Sequence, residues 1–226
     1  MDAKRLTLFA GHYGSGKTNI ALNWAYRLRD EGRAVTVADL DIVNPYFRTK
    51  DAEDDLARRG IGLIVSEYAN SNVDLPALPS QIYSLVDDRS TYGVLDIGGD
   101  DRGALALGRW VPSIIAEDDY DMLFVVNKAR PLTRTVEDTL EVYAEVEAAC
   151  GLPFTGIVNN TNLGPETTTQ TVLASMEYAE SVAWATGLPL KMTCVDKRLI
   201  NDFAGQVDSL FPLDILELYY MQKEGM

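Results

Sequence analysis

The sequence is poor in cysteine, histidine and positive charge. Its 226 residues include two cysteines, Cys150 and Cys194, and one histidine, so one chain encodes no disulfide framework and no Cys/His metal cradle. We expect both thiols to be buried in the core. Asp and Glu number 34 against 20 Lys and Arg, a net charge of −14, which repels nucleic-acid phosphates and anionic lipid. Nucleic acid and membrane surfaces are therefore not expected as partners.

Long apolar runs are also absent. Lys4 and Arg5 precede an apolar run of only five residues, shorter than a signal-peptide core, and no run approaches the roughly 18 residues that cross a bilayer. Near the C-terminus, Leu213, Leu216 and Tyr220 repeat at helical spacing with acidic neighbours. This pattern predicts a helix that docks on the protein's own core rather than on a membrane. We expect a cytoplasmic protein.

Short apolar runs alternate with longer segments of helical period, a pattern typical of a parallel sheet with helices on both faces. Strands are predicted at residues 6–10, 35–39, 61–66, 92–97, 122–127, 155–159 and 189–194. Helices are predicted at residues 20–28, 78–87, 103–115, 133–149, 169–186 and 214–222. The expected fold is α/β, a single doubly wound and mostly parallel sheet flanked by helices, in one domain over residues 1–226.

A glycine-rich loop follows the first predicted strand. Residues 11–18 read GHYGSGKT and match GxxxxGK[ST] between a strand and a helix, as this phosphate-binding motif requires. Backbone amides and the helix N-terminus surround phosphates in such loops, while the lysine reaches the β- and γ-phosphates and the hydroxyl ligates Mg²⁺. The predicted nucleotide contacts are Gly11, His12, Tyr13, Gly14, Ser15, Gly16, Lys17, Thr18 and Asn19, with Lys17 catalytic and Thr18 a metal ligand.

The motif continues into a longer pattern, GKTNIALNWA followed by a glycine and VTVADLD. It resembles the deviant Walker A ATPases of the MinD/ParA group, whose pattern combines GKTT, NLA, a glycine and a strand ending in DxD. Those places are held here by Asn23, Ala25, Gly32, Asp39 and Asp41. YGVLDIGGD is similar to the family's second acidic strand and switch loop, and GIVNN to its adenine-reading strand end. The resemblance spans most of the chain and implies a P-loop ATPase.

His12 departs from this pattern. The family usually has a second lysine there, which reaches the partner's phosphates in a nucleotide-sandwich dimer. A histidine can donate a hydrogen bond but is not reliably charged at pH 7. The sequence therefore leaves homodimerisation open.

Acidic side chains follow three of the apolar runs. Asp39, Asp41 and Asp96 are expected at the carboxyl ends of strands, where such sheets bind ligands. The resemblance implies that Asp39 and Asp96 hold Mg²⁺ through water, that Asp41 positions the hydrolytic water, and that the Gly99 amide senses the γ-phosphate. Helix capping or solvent exposure is the alternative for each carboxylate.

Asparagines end the predicted strand 155–159, and a side-chain amide can pair with a purine edge. The resemblance puts Asn160 on adenine and Val195 and Asp196 in a loop that flanks it, while a turn-forming role is the alternative for Asn160. Residues 127–130 read NKAR, which begins like the guanine-reading NKxD motif but lacks its aspartate. Adenine is therefore predicted over guanine.

Two further segments are candidate switches. Residues 98–103 combine glycines with alternating charge and suit a loop that reorders when the γ-phosphate leaves. Residues 44–48 carry two aromatics beside an arginine and suit a partner or small-ligand surface, with burial of Tyr46 and Phe47 in the core as the alternative. Four arginines receive no definite role: Arg48, Arg102, Arg130 and Arg134. The last two bracket a proline and would bind a phosphate or a carboxylate, or face solvent.

The first functional hypothesis is a Mg-ATP switch ATPase of the MinD/ParA type, slow by itself, which cycles contacts with an unidentified protein partner. A metal-centre assembly variant would need Cys150 or Cys194 to pair across a dimer. The alternative is a carboxylate-activating ligase resembling dethiobiotin synthetase or the cobyrinate amidating enzymes, although Asn44-Pro45 replaces the expected lysine–proline pair. A third hypothesis is a nucleotide-binding module without useful turnover.

Overall fold

The computed structural model describes residues 2–40, 50–65, 85–98, 107–108, 110–203 and 205–215. The strands are β1 (Leu6–Ala10), β2 (Val35–Leu40), β3 (Gly62–Val65), β4 (Tyr92–Ile97), β5 (Tyr120–Val126), β6 (Gly156–Asn159), β7 (Leu190–Asp196) and β8 (Leu210–Leu213). The α-helices are α1 (Lys17–Asp30), α2 (Lys50–Arg58), α3 (Val111–Glu117), α4 (Val136–Cys150), α5 (Thr169–Leu173) and α6 (Met176–Thr186). Short 3₁₀ segments are Pro131–Thr133, Gly164–Glu166 and Lys197–Phe203.

All eight strands of these described residues form one sheet in the order β3-β2-β4-β1-β5-β6-β7-β8, and every neighbouring pair is parallel. The predicted α/β class with a parallel sheet is therefore confirmed. The chain runs outward from β1 on one side, returns to β4 beside it, and continues on the other side from β5. This reversal beside β1 is the point at which open parallel sheets form their ligand crevice.

Apolar side chains cover both faces of the sheet. Along β1, Leu8 and Ala10 belong to one buried cluster and Phe9 to the other, so successive residues point to opposite faces. Helices α1 and α2 pack on the face of Phe9, and α3, α4 and α6 pack on the opposite face. Because both faces are covered, β1 is buried at every position.

The C-terminal prediction is wrong at Leu213, which lies in strand β8 and not in a helix. Phe211 and Leu213 are buried on alternate positions while Pro212 between them is exposed, the period of a strand. Strand β8 is the edge of the sheet, where a proline is tolerated because no further strand needs its missing N–H. Residues 214 and 215 are not helical, and residues 216–222 of the predicted helix lie outside the described residues.

Three other helix predictions also differ. Helix α2 was not predicted, because its sequence KDAEDDLAR carries a single large apolar residue, the buried Leu56. The predicted helix 169–186 is two helices, α5 and α6, and Ser175 between them donates its hydroxyl to the Val172 carbonyl at 2.7 Å. Of the helix predicted at 103–115, the described part has Leu107 as helical, turn residues at 108 and 110, and a separate helix from Val111. Most of the helix predicted at 78–87 lies outside the described residues.

Each remaining predicted strand agrees with the structure to within two residues at either end, and those at 6–10 and 92–97 have the same bounds. Among the residues described, no helix is both long enough and apolar enough to cross a bilayer.

Candidate nucleotide-binding site

The loop from Gly11 to Gly16 connects β1 to α1 and curls around the first side chain of the helix. Lys17 is 6% exposed, and its Nζ donates to the carbonyl oxygens of Gly11 at 3.0 Å and His12 at 3.2 Å. Gly11 and Gly16 have φ of 147° and 91°. A Cβ at Gly11 would approach the Val125 carbonyl oxygen to 2.5 Å, and one at Gly16 would overlap the Asn160 amide. The motif glycines are therefore required by both backbone angle and space.

Two buried carboxylates lie next to this loop. Asp39 of β2 and Asp96 of β4 are register partners on neighbouring strands and are 2% and 1% exposed. Thr18, in the first turn of α1, donates its hydroxyl to Asp96 Oδ2 at 2.5 Å. The three predicted metal ligands thus lie together at the carboxyl ends of β2 and β4.

These groups fit a hard divalent cation. Carboxylate and hydroxyl oxygens are the ligands that Mg²⁺ takes, usually with few protein ligands and with phosphate and water completing the octahedron. Within the described ranges, no group of three or more His, Cys, Asp and Glu side chains could hold a metal by itself. A cation bound beside Thr18 would therefore need nucleotide oxygens and water as further ligands.

An open cleft lies beside the loop, between the ends of β6, β7 and β8. It is lined by Gly16, Asn19, Asn160, Thr161, Asn162, Gly164, Thr167, Val172, Cys194, Val195, Asp196, Leu213 and Ile215. The cleft therefore brings the predicted base contacts next to two predicted loop contacts. The base contacts are Asn160, Val195 and Asp196, and the loop contacts are Gly16 and Asn19. Two walls of the cleft, the 161–167 turn and the end of β8, were not predicted from sequence pattern.

Asn160 connects the base side of the cleft to the phosphate loop. Its side chain is 3% exposed, and Nδ2 donates to the Ser15 carbonyl at 2.7 Å. Because that carbonyl can only accept, it fixes the orientation of the amide and leaves Oδ1 as the acceptor. The preceding Asn159 is a turn residue: its amide donates to Ser175 Oγ at 2.9 Å, and its Oδ1 accepts from the Thr161 backbone and hydroxyl.

Asp196 is engaged by an arginine that the sequence did not single out. Its carboxylate accepts from the Arg198 backbone N–H at 2.9 Å and from Nε at 2.6 Å. Arg198 Nη2 also donates to the carbonyls of Pro165 and Thr167. Asp196 therefore orients Arg198, which in turn binds the 164–167 turn at the cleft.

The NKAR segment after β5 joins the same assembly. Asn127 is fully buried, and its Oδ1 accepts from the backbone N–H groups of Ala129 and Asn162. The Lys128 N–H donates to Thr161 Oγ1 at 3.1 Å, and Arg130 Nε donates to the Gly14 carbonyl at 2.8 Å. The segment that resembled a guanine motif therefore connects the loops after β1, β5 and β6.

The remaining predicted residues divide into two groups. His12 is half-buried with Nδ1 2.9 Å from the Tyr13 carbonyl, so Nδ1 carries the proton, and Tyr13 is 56% exposed. Arg134 is exposed and makes no hydrogen bond or ion pair with the residues described. Asp41, Gly99, Arg48 and Arg102 lie outside the described residues, as do residues 44–48 and 99–103 of the two switch segments.

Both cysteines are buried, as expected. Burial raises the pKa of the Cys150 thiol to about 12 and raises the pKa of Cys194, a lining residue of the cleft, further still. The two residues are 0% and 2% exposed, so neither presents its sulfur at the surface, where a metal shared between two chains would bind. The structure therefore gives no support to a metal centre bridged between two chains by these residues.

The sheet order and the loop around Lys17 define the class: the chain has the α/β fold of P-loop nucleoside triphosphatases. Solved structures with this fold include the cell division protein FtsY from Thermotoga maritima, with 18% identity over 84% of this chain and a TM-score of 0.59. Chloroplast FtsY from Physcomitrella patens has 17% identity over 85% of the chain and a TM-score of 0.55.

The signal recognition particle 54 kDa protein from Aeropyrum pernix, solved with GDP, has 17% identity over 85% of the chain and a TM-score of 0.53. The chain covers 61%, 59% and 41% of these three structures respectively. No protein-family model and no curated protein sequence matches it. These likenesses establish the fold and do not single out the MinD/ParA group.

Proposed function

We propose that the protein is a Mg-ATP-binding switch of the MinD/ParA type, a single nucleotide-binding domain over residues 1–226 that acts in the cytoplasm. The observation that carries the proposal is the buried contact between Thr18 and Asp96 beside the loop curled around Lys17. The ammonium group of Lys17, the hydroxyl of Thr18 and the carboxylates of Asp39 and Asp96 are all at the carboxyl ends of neighbouring strands. A phosphate chain with its metal ion would engage all of them.

The binding roles follow from this arrangement. Lys17 would bind the β- and γ-phosphates from the hollow of the loop, where its ammonium group already contacts two backbone carbonyls. Thr18, Asp39 and Asp96 would hold Mg²⁺, which when bound supplies charge neutralisation at the phosphates. The roles of Asp41 on the attacking water and of the Gly99 amide on the γ-phosphate rest on the family resemblance.

Adenine is the base that we assign to this cleft. With Asn160 Nδ2 bound to Ser15, the side chain offers Oδ1 as an acceptor, which pairs with the exocyclic amino group of adenine and opposes the O6 acceptor of guanine. Asp196, a carboxylate that would accept from guanine, is engaged by Arg198. Guanine nucleotide is the second candidate, because a structure with the same fold was solved with GDP.

A protein partner at this edge is supported by exposed apolar residues on three loops around the site. Tyr13, Leu132 and Leu163 are 56%, 55% and 51% exposed, and their loops are joined by the contacts of Asn127 and Arg130. Slow hydrolysis would then set how long the protein stays bound to the partner, or to a second copy of the chain.

Calorimetric titration of ATP, ADP, GTP and GDP with Mg²⁺ tests the proposal. We expect ATP and ADP to bind more tightly than the guanine nucleotides, and Lys17→Ala to abolish binding. Lys128→Ala is the matched control, because this lysine lies 5.7 Å from the centre of the Tyr178 ring rather than in the loop. Light scattering on the same samples reports whether ATP, but not ADP, changes the mass. Absence of nucleotide binding by the wild-type protein would refute the proposal, and guanine preference would refute its base assignment.

A further inference from the structure

Arg130 is a second cation in contact with the phosphate loop. Its Nε donates to the Gly14 carbonyl at 2.8 Å. The guanidinium group lies against the backbone of Gly14, so that a Cβ there would be 3.5 Å from Nε and 3.7 Å from Cζ. Arg130 comes from the loop after β5, 116 residues away in sequence, so the fold brings it to the loop.

The backbone holds Arg130 in this position. Its N–H donates to the Asn127 carbonyl at 3.0 Å, and its own carbonyl accepts from the Thr133 N–H at 3.2 Å. Thr133 Oγ1 also donates to the Asn127 carbonyl at 2.7 Å. The turn is thus closed by buried groups at both ends, which fixes the backbone of Arg130, while its side chain is exposed and accessible to a ligand.

The other positively charged side chains near the phosphate loop make different contacts. Lys128 Nζ lies 5.7 Å from the centre of the Tyr178 ring. Arg198 donates to Asp196 and to the carbonyls of Pro165 and Thr167. Arg134 is exposed, and its side chain makes no hydrogen bond or ion pair with the residues described. Among the described residues, Arg130 and Lys17 are therefore the two reliably charged groups in hydrogen-bond contact with loop 11–16.

We infer that Arg130 is a catalytic residue that donates from its terminal nitrogens to the terminal phosphate of the bound nucleoside triphosphate. The inference rests on the proposed function. Because Nε is bound to Gly14, both Nη groups remain as donors, and a guanidinium fork matches two phosphate oxygens. Arg130 would place a second positive charge, beside that of Lys17, at the phosphates from within the same chain.

The reaction it assists is hydrolysis of the terminal phosphoanhydride. The oxygen of water forms a bond to the γ-phosphorus while the bond from that phosphorus to the bridging oxygen breaks. The electron pair of the broken bond stays on the β-phosphate of the diphosphate product, and the proton lost by the water passes to phosphate or solvent. Arg130 keeps its proton and stabilises the charge that accumulates on the transferring group.

The test compares Arg130→Ala, Arg130→Lys and Arg134→Ala in single-turnover hydrolysis of Mg-ATP, with affinities for Mg-ADP and Mg-ATPγS measured in parallel. Arg130→Ala should slow hydrolysis by about 10³-fold, the lower end of the effect of arginines in phosphoryl transfer. It should weaken ATPγS binding more than ADP binding. Arg130→Lys should restore part of the rate, and added guanidinium should accelerate Arg130→Ala. Arg134→Ala should behave as wild type.

Unchanged hydrolysis by Arg130→Ala would overturn the inference. So would an equal loss of ADP and ATPγS affinity, because an arginine that only supports the loop affects both nucleotides alike. If wild-type turnover is too slow to measure, the ratio of the two affinities decides in the same way. Failure of the wild-type protein to bind either nucleotide would refute the proposed function itself, and normal binding with unaltered hydrolysis in Arg130→Ala would refute only the role of Arg130.

Discussion

At the scale of single residues, Asp39 and Asp96 are two carboxylates that the fold buries almost fully on adjacent strands. Buried carboxylates are paired, hydrogen-bonded or bound to a metal ion, and Asp96 accepts a hydrogen bond from Thr18. A bound divalent cation would give both carboxylates a strong partner, so the arrangement makes physical sense as a metal site.

Asp96→Asn isolates the charge of this residue. The amide oxygen can still accept from Thr18, so the fold and the loop should persist, whereas the attraction for Mg²⁺ is lost. We expect the gain in nucleotide affinity on adding Mg²⁺ to fall by at least about tenfold, roughly 1.4 kcal/mol, with binding in EDTA unchanged. Titrations with and without Mg²⁺ measure this difference.

Asp121→Asn is the control for that measurement. Asp121 is 8% exposed and pairs with Lys191 and Thr155 near the start of β5, at the opposite end of the strands from the site. It should leave the Mg²⁺ effect intact. Equal Mg²⁺ dependence in wild type and Asp96→Asn would refute the metal role of Asp96.

Between elements, the contact of α1 with the end of β8 connects the phosphate loop to the far wall of the cleft. Asn23 is 6% exposed, donates to the Asp214 carbonyl at 3.0 Å and accepts from the Asp214 N–H at 2.8 Å. It also donates to the Asn19 carbonyl one turn earlier. Leu213 and Ile215, on either side of Asp214, line the cleft.

Asn23→Ala should therefore destabilise the protein. Two hydrogen bonds to the backbone of Asp214 would be lost, and because Asp214 is exposed, water can replace them in part, so we expect a loss of about 1 kcal/mol in the free energy of unfolding. Urea unfolding followed by far-UV circular dichroism measures it. Asn201→Ala, at an exposed position of the 3₁₀ segment after β7, is the control and should stay within about 0.5 kcal/mol of wild type. Equal midpoints for the two variants would show that the contact contributes nothing.

For the whole molecule, the dominant property is its net charge of −14. A nucleotide site needs positive potential only locally, and Lys17, the start of α1 and Arg130 provide it within one loop region. A polyanion such as DNA would have to cover a much larger surface, most of which repels it.

The chain should therefore bind neither duplex DNA nor vesicles rich in phosphatidylglycerol, with or without ATP, at physiological ionic strength. Gel-shift and vesicle-sedimentation assays test this, and lowering the salt should not produce binding, since weaker screening strengthens a net repulsion. Salt-sensitive binding to either polyanion would contradict this prediction.

Much of the fold followed from local pattern. Runs such as LTLFA and YGVLDI are mostly apolar because strands β1 and β4 are buried on both faces, and their bounds were predicted correctly. Strand β8 was missed because its sequence LFPL is short and contains a proline, which gives a weak strand signal. Its burial depends on contacts with α1 and β7. Helix α2 was missed because its single buried leucine leaves no period to detect.

By itself, the sequence determined the phosphate loop and the class of sheet, because glycine backbone angles, one lysine and the alternation of apolar runs are local properties. Only the tertiary structure decided which groups meet. Thr18 contacts Asp96 over 78 residues, Arg130 contacts Gly14 over 116, and Asn160 contacts Ser15 over 145. A parallel sheet collects the carboxyl ends of all its strands at one edge, whatever their separation along the chain. For that reason the roles of Asn127, Arg130 and Arg198 became visible only in the folded protein.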